Sequence, residues 1–212
     1  MELVGPGGYQ EGSALARSVW GAKGRLASAG DKLDASVIRR LTDEKVPFVW
    51  LEEGHIETCP AIDAQLEDRL MELLVKATQV PKGGEGQAEQ LLECASDIPA
   101  LSQSVAAQLM ARKKDQLDFM PVSMISGADC YPVQRLVLVA LYGGWLGIDA
   151  RLQPSDLAAV IAACLLSDWH LITVDWETAQ HYRAPWGQVG EDFKSHPRLM
   201  FELLQQARSI SA

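Results

Sequence analysis

The sequence predicts a mainly α-helical protein, with a small α+β unit over residues 1–58 followed by an all-helical bundle over residues 59–212. Three observations carry this expectation. Two long, very apolar segments, Arg135–Gly147 and Leu157–Leu166, are of core composition. Apolar residues at helical spacing fill most of residues 61–120, and residues 13–51 alternate, turn and alternate again in the manner of short strands around one helix.

In the N-terminal unit, Ala14 to Trp20 alternates inward and outward as a strand, and Gly21-Ala22-Lys23-Gly24 is a turn before Arg25-Leu26-Ala27. Gly30 to Leu33 leads to Asp34, whose short side chain suits the N-cap of a helix with Val37, Ile38 and Leu41 on one face. After Pro47, Phe48-Val49-Trp50-Leu51 closes the unit as a strand.

The bundle begins with Ile62, Leu66, Leu70, Leu73 and Leu74 on one helical face, with Asp63, Glu67 and Asp68 near its start, where carboxylates complement the helix dipole. Lys82-Gly83-Gly84-Glu85-Gly86 interrupts it. Without a trailing Lys-Ser/Thr this is a connection, not a phosphate loop. A further helical stretch, Glu89–Met120, is broken or restarted at Pro99, and its Arg112-Lys113-Lys114 reads as a solvated face. The segments 135–147 and 157–166 are apolar on all sides and are expected to be buried; Pro154-Ser155-Asp156 starts the second as a helix, which ends at Asp168.

Within this frame the residues Ala163-Cys164-Leu165-Leu166-Ser167-Asp168-Trp169-His170-Leu171 and the later Ser195-His196-Pro197 resemble the HD-GYP branch of the HD phosphohydrolase superfamily, which hydrolyses cyclic di-GMP at a two- or three-metal centre. That family ends a buried helix in Ala-x-Leu-Leu-His-Asp-x-Gly-Lys and follows it with a His-Pro pair. The frame lies without a gap from Arg135 to Met200, about a third of the chain. The resemblance implies an HD-domain-like helical bundle, and the order of elements in residues 13–51 is similar to the small β-rich unit that precedes the catalytic domain in many such proteins.

Most of the ligands that the resemblance implies are replaced. Arg135 stands where the family has the His opening its first helix, Tyr131 at the acidic ligand one turn earlier, Ser167 at the His of the His-Asp pair and Leu171 at the Lys after it. Asp168 and His196 alone fall on metal-ligand positions, with His170 or His181 as additions. The family's later His-His pair, its Gly-Tyr-Pro motif and its last Asp would lie beyond Ala212. A catalytic metal normally takes three protein ligands, and His170 would diverge from Asp168 by about 200° if the helix continued past it. The resemblance thus implies at most a divalent metal, Fe, Mn or Zn, on Asp168 and His196, and favours no cofactor.

Between the two motifs, the aromatic-rich run from Trp169 to Gly187 either fills space or stacks on a purine and pairs with a phosphate, with Trp169, Trp176, Arg183 and Trp186 as the ligand-binding candidates.

Composition bounds the rest. A net charge of −9 opposes general affinity for nucleic acid or an anionic membrane. Nothing approaches eighteen consecutive apolar residues, so a soluble, cytoplasmic chain is expected. Cys59, Cys94, Cys130 and Cys164 form no Cys-x-x-Cys pair and read as buried free thiols. No nucleophile elbow, dinucleotide fingerprint or zincin motif is present. The expected function is a non-catalytic HD-GYP-like regulatory or binding protein in bacterial cyclic di-GMP signalling, with a protein partner, self-association or a cyclic di-nucleotide as what it binds. The alternative is a metal-dependent phosphohydrolase, a cyclic di-GMP phosphodiesterase with an altered metal site.

Overall fold

The computed structural model describes residues 2–21, 23–52, 61–81, 86–112, 124–125, 131–169 and 194–206. It is mainly helical, with a small α+β unit at the N-terminal end, as the sequence predicts. Strand β1 (Glu2–Val4) pairs antiparallel with β4 (Val49–Leu51), Leu3 opposite Trp50. Strands β2 (Val19–Gly21) and β3 (Gly24–Ala27) form a hairpin in which Gly21 faces Gly24. Gly24 has φ 137°, a backbone state that side-chain-bearing residues avoid.

The strand expected over 14–20 is regular only from Val19; Ala14 and Leu15 make single bridges, to Lys32 and Leu51. Two cores explain the arrangement. Val19 joins Leu15, Leu33, Val37, Leu41, Val49 and Leu51 in the small N-terminal core, whereas Trp20 enters the large core of the helices. Successive strand residues point to opposite faces, so β2 is buried on both. A short strand the sequence does not announce, β5 (Met124–Ile125), pairs parallel with β2 and completes a sheet of order β3-β2-β5.

Helix α1 (Ala35–Asp43) is capped as expected. The Asp34 carboxylate accepts from the backbone N–H of Ser36 at 2.9 Å and Val37 at 2.8 Å, and from the Ser36 hydroxyl at 2.7 Å. These bonds, the Ser36 hydroxyl first, hold the Asp34 carboxyl below its ordinary range. A carboxyl depressed in the folded state adds stability that is complete above its unfolded pKa and is lost as pH falls through the folded one. Wild type should therefore be more stable than Asp34→Ala at neutral pH. In denaturant titrations repeated from pH 6 downwards, the two curves should converge in acid.

The bundle consists of α2 (Ala64–Thr78), α3 (Gln87–Ala95), α4 (Ile98–Ala111), α5 (Tyr131–Asp149), α6 (Pro154–Leu166) and α7 (His196–Gln206). Asp63 caps α2, its carboxylate accepting from Leu66 N at 2.7 Å, while its own N–H donates to Gln108 of α4 at 2.8 Å. Pro99 sits in the first turn of α4, where a missing N–H costs nothing. The break expected at Pro99 is thus a helix start.

Helix α6 packs against α5 and α4. The approach is close because α5 presents bare backbone: a Cβ on Gly144 would lie 2.7 Å from Leu109 Cδ1, and one on Gly147 2.6 Å from Leu157 Cδ1. One expectation needs correction here. Segment 135–147 is not buried on all sides, since Tyr142 is 54% and Leu146 67% exposed. Full burial would need neighbours on every face, and the described helices cover only one. No described helix is long and apolar enough to cross a membrane.

Candidate functional site

The site lies where α6 ends against α5. Ser167 terminates α6, its hydroxyl donating to Cys164 O at 2.8 Å. The turn carries Asp168 back into the bundle, where the residue is 8% exposed, and Trp169 into the main core at 0%. Opposite, one turn into α5, Arg135 reaches across and its Nη1 donates to Asp168 Oδ2 in an ion pair. The Asp168 side chain is largely shielded and the Arg135 side chain is 39% exposed. Two residues thirty-three positions apart in sequence are therefore in direct contact. Arg135 neutralises the charge that Asp168 takes into the bundle, and its Nη1 gives the carboxylate a charge-assisted hydrogen bond.

Among the described residues, no group of three or more His, Cys, Asp or Glu side chains is placed to hold a metal ion. Of the Asp168 carboxylate, Oδ2 is the oxygen that accepts from Arg135. His196 opens α7, with Pro197 in its first turn, but its side chain lies outside the described residues. His170, Trp176, Arg183 and Trp186 also lie outside them. Trp169, a stacking candidate, has no exposed ring surface; it packs in the main core, and its Nε1 has no hydrogen-bond partner.

Beside Asp168 runs a cleft of about 840 Å³ between α4, α6 and α7. Its walls include Pro99, Ala159, Ala163, Met200 and Phe201, with Gln103, Ser155, Ser167 and Asp168 as its polar points. This is the size and mostly apolar character of a cleft that holds a ligand or a partner's side chains. A smaller cleft of about 340 Å³ on α2 and α3 mixes Arg69 and Lys76 with Glu72, Glu93 and Asp97, so its cations are already offset by carboxylates.

A second polar cluster escapes the sequence reading, which places Glu67 on α2 merely as a dipole-favouring acid. Glu67 is 1% exposed and accepts from Arg17 Nη1 at 2.7 Å; Arg17 Nη2 donates to Ile62 O at 3.1 Å. At the next residue, Asp68 Oδ2 accepts from Ser18 Oγ and Arg25 Nη1, each at 2.9 Å, and Arg25 lies 5.1 Å over the Trp20 ring. The signal was present in the sequence: Arg17 shares the inward parity of Leu15 and Val19, and Glu67 falls between Leu66 and Leu70 on the apolar side of α2.

Of the cysteines, Cys94 is buried and Cys164 partly so, and burial pushes both thiols up from their ordinary pKa. Both are structural by this measure, since reactivity follows thiolate character. Cys59 and Cys130 lie outside the described residues.

No protein-family model matches the chain, and neither the curated proteins nor the solved structures include a significant match to it.

Proposed function

We propose that the protein is a non-catalytic, HD-GYP-like regulatory or binding protein of bacterial cyclic di-GMP signalling. The observation that supports this reading is the Arg135–Asp168 ion pair. Metal-assisted hydrolysis needs a cation with an open position, where a bound water loses its proton easily and a phosphoryl oxygen is neutralised. A guanidinium can neutralise a phosphoryl oxygen, but it has no coordination position at which a water could lose its proton. It is a fixed positive charge that donates hydrogen bonds and cannot activate water by coordination. Arg135 thus preserves the charge balance around Asp168 and removes the chemistry.

With the chemistry gone, the cleft between α4, α6 and α7 is the place left for recognition, with Ser167 and Asp168 in its lining. A protein segment or the cyclic di-nucleotide itself is the ligand in this reading. Calorimetric titration of cyclic di-GMP, with and without added manganese, tests it. The expected result is binding whose affinity manganese does not change, with the nucleotide recovered intact. Manganese-dependent conversion to the linear dinucleotide would mean that the protein is a phosphodiesterase.

A further inference from the structure

Helix α5 is apolar on the face it turns to solvent as well as on the face it packs. From Leu136 to Ile148 it carries no charged residue. Tyr142 and Leu146 are 54% and 67% exposed, and Leu138 and Trp145 are half-buried. At 100° per residue all four lie within about 60° of the Tyr142 direction, so they form one stripe. The opposite side of the helix is the glycine face against α4 and α6. Surface helices place polar residues outward, and a contiguous apolar face is the mark of an interface.

We propose that this face binds a second copy of the chain, with two α5 helices packed antiparallel about a two-fold axis at Tyr142. Charge and register argue for this occupant. The protein carries a net charge of −9, so two copies repel through most surfaces, and this uncharged stripe is where they can meet. The stripe is bounded by Arg135 and Asp149, each seven residues from Tyr142. Antiparallel pairing at Tyr142 therefore brings Arg135 of each copy opposite Asp149 of the other, and Leu138 opposite Leu146. The seven-residue repeat of Arg135, Tyr142 and Asp149 suits helices crossing at a shallow angle. Arg135 keeps Asp168 as it does so: a guanidinium has five donors, and the Arg135 side chain is 39% exposed. Such a contact is closed and isologous. It does not depend on the function proposed above.

The test is sedimentation of the full chain over a range of concentrations, beside Tyr142→Glu, Leu146→Glu and, as a control on another exposed apolar residue, Phe48→Glu. Circular dichroism confirms that each variant is folded. Wild type and Phe48→Glu should dimerise, while the two α5 variants should dissociate at about tenfold or more higher dimer Kd, because each places an acid in an apolar contact. Oxidative cross-linking tests the register. The Tyr142→Cys variant should form an inter-copy disulfide above the background of the native chain. Leu146→Cys alone should not, because its two thiols would be about 12 Å apart along the helices, but it should cross-link when mixed with Leu138→Cys. A monomeric wild type, a dimer that both glutamate variants leave intact, or cross-linking of Leu146→Cys to itself would each overturn the proposal. Capture of a different protein by a monomeric chain through α5 would overturn it as well.

Discussion

Glu67→Ala should lower the unfolding free energy by about 3–5 kcal/mol, the range found when one partner of a buried ion pair is removed and the other is left charged in the interior. Arg17 is 2% exposed, and its remaining polar contact would be the single bond to Ile62 O at 3.1 Å. Arg17→Ala should cost a comparable amount by removing the cation beside the buried Glu67 carboxylate. Replacing both, Arg17→Met with Glu67→Leu, should be much milder, because apolar groups of similar volume need no compensation. Urea denaturation of the four proteins gives the double-mutant cycle directly. A loss in Glu67→Ala below about 1 kcal/mol, the size of an exposed pair, would show that water reaches this site. The same variants ask whether the two cores melt together. Arg17 and Trp20 enter the helical side from the N-terminal unit, so the transition should remain single in wild type.

Trp169→Ala should be as damaging, again about 3–5 kcal/mol, as for a fully buried aromatic replaced by alanine. Trp169→Phe should lie within about 1 kcal/mol of wild type. The lost ring volume leaves a small cavity, while removing an indole N–H without a partner relieves a buried donor. Thermal and denaturant unfolding of the two variants separate a core tryptophan from a surface one, because a surface tryptophan would tolerate both changes equally.

Much of this architecture is legible in the sequence. The Asp34 cap, the Gly21–Gly24 turn, the closing strand at Val49–Leu51 and the start of α6 at Pro154 all follow from residues whose conformational preferences are strong and local. What escapes depends on distant partners. Strand β1 is three residues long and β5 two, and both exist through their pairing with β4 and β2 rather than through any alternation of their own. Glu67 looks like an ordinary helix-start carboxylate until Arg17, fifty residues away, is folded against it. The apolar run 135–147 suggests burial on every side, yet hydrophobicity alone cannot tell a core from an interface, and Tyr142 and Leu146 are exposed.

The candidate site was legible in part. Asp168 follows from the end of an apolar helix, and Arg135 from its position at the head of another. That the two are one ion pair does not follow, because local patterns carry no information about contacts between residues thirty-three positions apart. Their pairing sets the positive charge of Arg135 beside the Asp168 carboxylate.

Elemental analysis of the purified protein for manganese, iron and zinc, on wild type, Asp168→Ala and Arg135→Ala, tests that claim most directly. With Arg135 holding Asp168, wild type should carry metal well below one equivalent per chain, Asp168→Ala should be no different, and Arg135→Ala should be destabilised by loss of the cation beside a largely shielded carboxylate. Stoichiometric metal in wild type that Asp168→Ala loses would contradict the account, since the carboxylate would then serve a metal rather than an arginine.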